Sequence, residues 1–325
     1  MSISVVIATY DRAALLDECL GHLRRQLFHP GDEVLVVDNG SSDDTPDVVR
    51  RYQALLSVPL HYLHEPIPGK SRALARALTQ ASGDVVAFTD DDVNVEAAWL
   101  DAIRTAMASD GIALVGGPVI PRWERTTPRW LQLDANGYGR LGAPLALLDY
   151  GSRVAELGPR TLLGANLAIR RSVLDRVGGF APELGKLRGT LLSGEDHDLC
   201  ERVQAAGFRA VYWPDARVHH WVPASRTRLR YFLAWFFWSG ITNAALDETA
   251  PSRPRSLFGL PRYLIRRFAV AAIATPFAVV AGRAAVAAQY AVDAAFALGY
   301  ASKSWGFVRL GRRSPVGPAP RGEAV

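Results

Sequence analysis

Several features that would place this chain in a familiar class are scarce or missing. It has two cysteines, Cys19 and Cys200, and no CxxC pair, so it is not a disulfide-rich secreted domain and fits a reducing compartment. The first predicted strand is not followed by the G-x-G-x-x-G pattern of dinucleotide oxidoreductases. Residues 1–9 lack the basic start and the length of a signal peptide. After His220 acidic residues nearly vanish, whereas arginine continues.

What is present indicates a folded chain with a large core. Hydrophobic residues make up 49% of the 325 residues, charged residues 21%, and the formal net charge is +5. This length favours one large domain with an appendage. We predict a first domain over 1–223, a helical region over 224–311 and a disordered tail over 312–325, where proline and glycine are frequent.

The first third of the chain alternates apolar, β-prone runs with segments of helical periodicity. Strands are predicted over 3–8, 33–37, 60–63 and 85–90, with a helix over 71–81 and helix caps at Asp11 and Thr45. Such alternation predicts an α/β fold with a mostly parallel sheet. Because parallel strands end at the same edge, Thr9, Asp38 and the Asp90–Asp92 run are expected to converge there.

Three consecutive carboxylates, Asp90, Asp91 and Asp92, end the fourth predicted strand. They repel one another and lose hydration, so a neutralising partner is expected. Mg²⁺ prefers one or two carboxylates together with phosphate oxygens. The pattern therefore predicts a divalent metal site at the sheet edge, with an acidic surface turn as the alternative.

The second half is less regular. Strands are predicted over 113–119, 161–169, 210–212 and 216–218, a long loop over 121–160, and a helix opening at Gly194. The apolar run over 268–281 contains Pro276 and is shorter than the about 20 residues needed to cross a membrane. We expect helices that lie on an anionic membrane surface or pack on the first domain, with a spanning segment as the alternative.

Four motifs occur together in one order. They are SVVIATYDR from Ser4, VVDNGSSD from Val36, TDDD from Thr89 and GED from Gly194. In this order they resemble the family 2 glycosyltransferases of GT-A fold, over roughly residues 2–223. The resemblance implies a Rossmann-like, mostly parallel sheet flanked by helices. It also implies inverting, metal-dependent transfer of a sugar from a nucleotide-diphospho-sugar.

The resemblance assigns nucleotide-binding residues. Thr9, Tyr10, Arg12 and Asp38 would hold the nucleoside. Because a carboxylate accepts a hydrogen bond from an imide N–H, Asp38 would favour a UDP- or dTDP-sugar. The alternative for Asp38 is an Asx-type turn.

The family resemblance also assigns the metal site. Asp90, Asp91 and Asp92 would be the family's metal-binding aspartates, with Asp92 the main ligand to Mg²⁺ or Mn²⁺ and Asp90 facing the nucleotide. His220 would complete the metal site, with His219 as its rival.

The remaining assignments concern the base and the diphosphate. Asp196 would be the catalytic base that removes the acceptor proton, and Glu195 would orient the acceptor. Lys70 or Arg72 would contact the diphosphate, although the helix that follows lacks the Arg-Asn pair usual in the family. The segment 164–166 resembles a family strand near the acceptor.

The predicted function is thus sugar transfer to a glycan, a lipid-linked acceptor or another hydroxyl, in surface polysaccharide or glycolipid biosynthesis. The expected location is cytoplasmic, peripheral at the inner face of the membrane. A catalytically inactive nucleotide- or glycan-binding module is the alternative. A nucleotidyltransferase is disfavoured because no glycine follows the first strand at Thr9–Arg12, and nucleic-acid binding is disfavoured by the acidic edge.

Overall fold

The computed structural model describes residues 1–109, 111–135, 137–181, 191, 194–249 and 256–308. The strands are β1 (Ile3–Thr9), β2 (Glu33–Asp38), β3 (Leu60–His64), β4 (Val85–Asp90), β5 (Val93–Val95), β6 (Ile112–Gly116), β7 (Val119–Trp123), β8 (Ala155–Glu156), β9 (Asn166–Arg170), β10 (Arg209–Tyr212), β11 (Val218–Val222), β12 (Ser256–Leu257) and β13 (Leu260–Pro261). The helices are α1 (Ala13–Leu23), α2 (Thr45–Gln53), α3 (Lys70–Leu78), α4 (Trp99–Ala108), α5 (Gly139–Gly142), α6 (Arg171–Val177), α7 (Glu195–Ala205), α8 (Leu229–Thr249), α9 (Arg262–Val280) and α10 (Ala284–Ser304), with a 3₁₀ turn over Ala143–Leu145. The predicted disordered tail lies outside the described residues.

The main sheet has eight strands in the order β3-β2-β1-β4-β9-β6-β10-β8. The first four strands are mutually parallel, and β9 is inserted antiparallel between β4 and β6. The central strands are buried on both faces, as their continuous apolar runs predict. An α/β fold with a mostly parallel sheet and a C-terminal helical region is therefore confirmed.

The predicted convergence at the sheet edge is confirmed by the strand register. Thr9 at the end of β1 lies beside Asp38 at the end of β2, and Ala8 lies beside Asp90 at the end of β4. Side chains just beyond these strands therefore meet at one rim.

A second, three-stranded sheet, β5-β11-β7, lies beyond that rim. In it β11 pairs antiparallel with β5, so that His220 lies beside Val93. Because Val93 directly follows Asp92 in the chain, this pairing brings a residue far along the sequence to the three carboxylates.

Several predicted boundaries are wrong in detail. The strand predicted over 161–169 is β9 and begins at Asn166. The strand predicted over 216–218 is β11, which runs to Val222 and contains both histidines. The loop predicted over 121–160 is mostly irregular, but its start belongs to β7. The bounds of these short strands depend on pairing with neighbouring strands rather than on local apolar runs.

Two predicted helix caps are also corrected, and one of them, Thr45, is the first residue of α2 rather than its cap. Asp11 does not cap α1; it has a positive φ of 49° and its carboxylate accepts a hydrogen bond from Ser42 N at 2.7 Å. Instead, Asp43 accepts from Ala13 N at 2.8 Å and from Thr45 Oγ1 at 2.6 Å. One aspartate of the polar turn after β2 thus supports the starts of both α1 and α2, because parallel pairing of β1 and β2 brings the two helix starts together.

The C-terminal helices pack on the first domain through a second apolar cluster. It joins Phe232 and Phe236 of α8 and Val292 of α10 to Leu141 and Leu145 of the irregular segment after β7. Packing on the first domain, one of the two expectations, is therefore observed for α8 and α10.

Within the described part of the chain, one helix, α9, is long and apolar enough to cross a membrane by length and composition. The expectation that this segment is too short is corrected, because the helix begins at Arg262, six residues before the apolar run, and reaches 19 residues.

Candidate active site

The three consecutive carboxylates form the centre of the rim. Asp90 ends β4, while Asp91 and Asp92 form the turn into β5 and are buried. Buried like charges require compensation. Three cationic side chains supply it: Arg12, Lys70 and Arg226.

Asp91 is held by the segment that follows β1. It accepts hydrogen bonds from Thr9 Oγ1 at 2.9 Å and from Arg12 Nη1 at 2.9 Å. Burial, followed by the repulsion of Asp92 and Asp90, raises the pKa of Asp91 more than Arg12 lowers it. Thr9 and Arg12 are therefore brought to the rim as predicted, but they contact a carboxylate.

Asp92 has the opposite electrostatic environment. Although burial alone would raise its pKa, His220, Arg226 and Arg12 hold the pKa of Asp92 well below the usual range. Arg12 Nη1 lies 3.0 Å from Asp92 Oδ2, and His220 Nε2 lies 3.4 Å from Asp92 Oδ1. The surroundings of Asp92 therefore favour its anionic form.

The two neighbouring histidines point to opposite faces of β11. His220 is buried and faces Asp92, whereas His219 Nε2 lies 3.0 Å from Glu96 Oε1. Alternation along the strand separates them. The structure therefore places His220, and not its rival, beside the carboxylates.

Lys70, the first residue of α3, forms an ion pair with Asp90. Burial would lower its pKa, but Asp90 and Asp196 raise it above the usual lysine value. Arg72 is exposed on the opposite face of the helix and does not line the cavity at the rim. Of the two predicted residues, the structure therefore brings Lys70 to the cavity and not Arg72, because residues two positions apart on a helix point in different directions.

Asp38 does not present a free carboxylate to the rim. Its Oδ1 accepts from Ser41 N at 2.7 Å, and its Oδ2 accepts from Tyr62 Oη at 2.5 Å. Asp38 is buried and does not line the cavity. The Asx-type turn is thus what the structure has at this position, and the contact of Asp38 with a nucleobase stays a prediction.

A cavity of about 310 Å³ opens between the carboxylates and the cations. Both signs of charge line it. The lining residues are Ala8, Thr9, Tyr10, Arg12, Asn39, Gly69, Lys70, Ala73, Asp90, Asp91, Asp92, Ala146, His220 and Arg226.

Asp196 lies in the first turn of α7, next to this cavity rather than in its lining. Burial and the charge of Glu195 raise the pKa of Asp196 more than Lys70 and the backbone N–H of Gly164 lower it. Glu195 is buried and its carboxylate accepts from Gly194 N at 2.9 Å. Lys70, which interacts with both Asp90 and Asp196, links the cavity to this second acidic site.

The segment 164–166 supports Asp196 and the sheet. A methyl group on Gly164 would lie 2.7 Å from Asp196 Oδ1, so only glycine leaves the carboxylate its position. Asn166 donates to Ala216 O at 2.6 Å and accepts from Trp99 Nε1 at 2.8 Å. Asn166 therefore links β9 to α4 and to the turn before β11.

A divalent cation fits Asp92 and His220. Among the described residues nothing donates a hydrogen bond to the buried Asp92 Oδ1, and this oxygen faces His220 Nε2 at the cavity. A carboxylate oxygen and an imidazole are suitable donors for Mn²⁺, and Mg²⁺ takes a carboxylate with phosphate oxygens. No group of three or more His, Cys, Asp or Glu is arranged to hold a metal in the described ranges. The predicted ligand set of Asp92, Asp90 and His220 is thus not preformed, because Asp90 is paired with Lys70.

Two site residues were missed from the sequence. Arg226 lies in the turn after β11, with Nη1 3.5 Å from His220 Nε2 and Nη2 4.0 Å from Asp92 Oδ2. Asn39 donates to Glu65 O and Ile67 O at 2.8 Å and accepts from Gly69 N at 2.7 Å. The NG pair after β2 was the available signal for Asn39; no local pattern marks Arg226.

Comparison with known proteins agrees with these observations. The model of the family described as "Glycosyl transferase family 2" matches residues 4–178, more than half of the chain. The chain belongs to glycosyl transferase family 2. The match runs from β1 to β9 and includes the three carboxylates, whereas β11, with His220, lies beyond it.

Two curated relatives extend this result. This family 2 glycosyltransferase is 27% identical over 255 residues to the glucosyl-dolichyl phosphate glucuronosyltransferase of Haloferax volcanii, covering 77% of this chain and 79% of the relative. It is 31% identical to the pre-mycofactocin glycosyltransferase of Mycobacterium tuberculosis, covering 77% of this chain but only 49% of that protein. The chain thus spans about half the length of the second relative.

A solved structure shows the same fold. The mannosyltransferase PcManGT from Pyrobaculum calidifontis, in complex with GDP-Man and Mn²⁺, superposes with a TM-score of 0.57 at 21% identity, covering 94% of this chain and 87% of that one. This glycosyltransferase accordingly has the GT-A fold with added C-terminal helices.

Proposed function

We propose that this glycosyltransferase is metal-dependent and inverting, and that it transfers a sugar from a nucleotide-diphospho-sugar to a hydroxyl acceptor. The observation that carries the proposal is the cavity in which Asp90, Asp91 and Asp92 face the cations Arg12, Lys70 and Arg226. A site that combines carboxylates for a cation with cations for an anion suits a metal diphosphate.

The cations have distinct tasks in this proposal. Arg226 and Lys70 bind the diphosphate, since a guanidinium and an ammonium are the usual partners of phosphate oxygens. Arg12 fixes Asp91 and one oxygen of Asp92, which leaves Asp92 Oδ1 directed at His220. Thr9 and Tyr10 line the same cavity and contact the nucleoside.

Mg²⁺ or Mn²⁺, held by Asp92 and His220, would stabilise the negative charge that develops on the leaving diphosphate. The crystallised relative PcManGT contains Mn²⁺ and GDP-Man, which supports this choice of cofactor and donor class. The preference for a uracil or thymine base, predicted from Asp38, stays a prediction.

Asp196 acts as the base in this proposal. Inversion requires a carboxylate opposite the leaving group, which accepts the proton of the acceptor hydroxyl as its oxygen attacks the sugar. Asp196 lies across Lys70 from Asp90, outside the diphosphate cavity but adjacent to it. Glu195, one residue earlier, orients the acceptor.

The acceptor is proposed to be a glycan or a lipid-linked hydroxyl. One curated relative is named as acting on a glucosyl-dolichyl phosphate, which supports a lipid-linked acceptor. Cys19 and Cys200 are both buried and unpaired, which supports a cytoplasmic location for the reaction.

A thermal-shift panel tests the donor and the metal together. UDP-, dTDP- and GDP-sugars are added with and without Mn²⁺ to the wild type, to Asp92→Asn and to a control, Asp47→Asn, which removes an exposed carboxylate. Ligand at about a hundredfold over Kd stabilises the fold by about 2.7 kcal/mol. We expect a Mn²⁺-dependent shift for one nucleotide class in the wild type and the control, and its loss in Asp92→Asn. A shift of the same size without Mn²⁺, or none with any donor in folded protein, would contradict the proposal.

A further inference from the structure

Helix α9 exposes a continuous apolar surface, here called the α9 face. It consists of Phe268, Val270, Ile273, Phe277, Val279 and Val280. Ile273 is 66% exposed, Phe277 72% and Val280 88%. An apolar patch of this extent on a water-soluble surface is unusual and marks a contact with another apolar phase or molecule.

The α9 face is not the buried side of the helix. Helix α9 packs inward through Leu264, Ala271 and Ala278, which are spaced seven residues apart and are all buried. A helix that packs by one narrow stripe should be polar elsewhere. Between Phe268 and Ala281, however, α9 and its cap carry no charged residue.

The neighbouring helix α10 fixes how α9 can meet a membrane. Asp293, near the middle of α10, forms ion pairs with Arg267 of α9 and with Arg140 of α5, which belongs to the first domain. Crossing a bilayer would break these pairs and would take Asp293 into hydrocarbon. Helix α9 therefore stays packed on α10, with its apolar face outward.

Apart from Asp293, which is paired with Arg267 and Arg140, the charges that flank the α9 face have one sign. From residue 249 to residue 292 the sequence contains no Asp or Glu. Arg262 and Arg266 are exposed in the first turns of α9, and Arg283 is exposed just after the helix ends. A symmetric contact with a second copy would bring no acidic partner to these arginines, whereas an anionic lipid surface would.

We propose that the α9 face is a docking surface for an anionic phospholipid bilayer, with α9 lying in the membrane–water interface. The apolar side chains enter the acyl boundary while the arginines contact lipid phosphates. This inference rests on α9 and α10 and not on the proposed sugar transfer, so the two can fail separately.

Vesicle co-sedimentation of the full chain tests the proposed membrane docking of the α9 face. Wild-type protein is mixed with vesicles of phosphatidylglycerol and phosphatidylcholine in equal parts, and with phosphatidylcholine alone. The double variant Ile273→Glu/Phe277→Glu removes the apolar contact, and Leu27→Glu, at a residue 61% exposed near the end of α1, is the matched control. We expect tight binding to the anionic vesicles, a loss of at least about a hundredfold in the double variant, and no change in the control.

The arginines are tested separately. Arg262→Gln/Arg266→Gln should weaken binding to anionic vesicles by about fivefold for each arginine, and added salt should reduce this difference. Unchanged melting temperatures and unchanged donor-induced shifts verify that the variants are folded.

Three results would overturn the proposal. The wild type could fail to bind anionic vesicles, or the double variant could bind as well as the wild type. Light scattering could also show that the wild type is an oligomer that the double variant converts to a monomer, without vesicle binding, which would make the α9 face a contact between copies.

Discussion

At the scale of single residues, Gly164 determines where the carboxylate of Asp196 can lie. Because a methyl group there would come within 2.7 Å of Asp196 Oδ1, Gly164→Ala must displace the carboxylate. A displacement of about 1 Å of a catalytic group costs about 100-fold in rate. We expect Gly164→Ala to lower sugar transfer by about that factor while the donor-induced thermal shift is kept.

Gly179→Ala is the matched control for this experiment. Its methyl group would lie 3.3 Å from Leu78 Cδ1, a flexible side-chain atom away from the cavity. If Gly164→Ala transferred sugar at the rate of Gly179→Ala, Asp196 would not be the group that limits transfer.

The pH dependence of transfer follows from the environment of the same carboxylate. A base acts in its deprotonated form, so activity falls as the pH drops through its pKa. Burial and Glu195 raise the pKa of Asp196, so this loss begins at a higher pH than for an ordinary aspartate. We expect an acid limb of kcat/KM clearly above the usual aspartate pKa of about 3.9.

Lys70 supplies a second test of this pH dependence. Its positive charge lowers the pKa of Asp196, so Lys70→Met should move the acid limb to higher pH. Arg72→Met, which removes an exposed cation outside the cavity, should leave the limb where it is. A limb that moved to lower pH in Lys70→Met would show that another group titrates.

At this scale the sequence predicts those contacts that depend on strand topology alone. Thr9, Arg12 and the carboxylates meet because parallel strands end together. The hydrogen bond from Tyr62 to Asp38 was not predicted, because Tyr62 lies on another strand, β3. Arg226 could not be predicted, since its position depends on the pairing of β11 with β5, far apart in sequence.

At the scale of elements, the loop between β3 and α3 is held by one side chain. Asn39 makes hydrogen bonds with the backbone of Glu65, Ile67 and Gly69, and Gly69 has a φ of 140° that favours glycine. This loop places Lys70 at the start of α3. The position of Lys70 opposite Asp90 therefore depends on Asn39, which lies in the turn after β2.

We expect Asn39→Ala to destabilise the fold by about 2–3 kcal/mol, since each hydrogen bond contributes about 1 kcal/mol, and to raise the KM for the donor. Urea unfolding measures the first effect. Gln53→Ala, which removes a single bond of 3.1 Å to Leu60 O, is the control and should cost about 1 kcal/mol. Equal destabilisation by the two substitutions would refute this role of Asn39.

The longer elements of the first third are predictable from apolar periodicity, and β1, β2 and β4 lie within a residue or two of their predicted bounds. The short strands β5 and β8 and the position of β9 are not, because they pair antiparallel with strands far away in the chain. The start of α9 was missed because arginines in its first turns interrupt the apolar run that marks the helix.

At the scale of the whole molecule, the described residues form a sheet domain with C-terminal helices packed against it. The irregular segment after β7 lies between the two: Ala146 lines the cavity, while Leu141 and Leu145 pack against α8 and α10. No local pattern in this segment predicts either contact. The order of the four motifs was nonetheless sufficient to predict the fold, because their strands build the sheet around which the rest is arranged.

In the proposed reaction, one part of the molecule binds the donor and another part removes the acceptor proton. The rim residues Arg12, Asp92 and Arg226 belong to the first part, and Asp196 of α7 to the second. Removing the base should therefore abolish chemistry without abolishing binding.

Asp196→Asn tests this claim most directly, because asparagine keeps the size of the side chain and cannot take a proton. With the donor that the thermal-shift panel identifies, calorimetric affinity and sugar transfer are measured on the same preparation. We predict a donor Kd close to that of the wild type and transfer lowered by about 10²–10⁴-fold, the usual contribution of a general base. Transfer at a near-normal rate, with the donor still bound, would contradict the account.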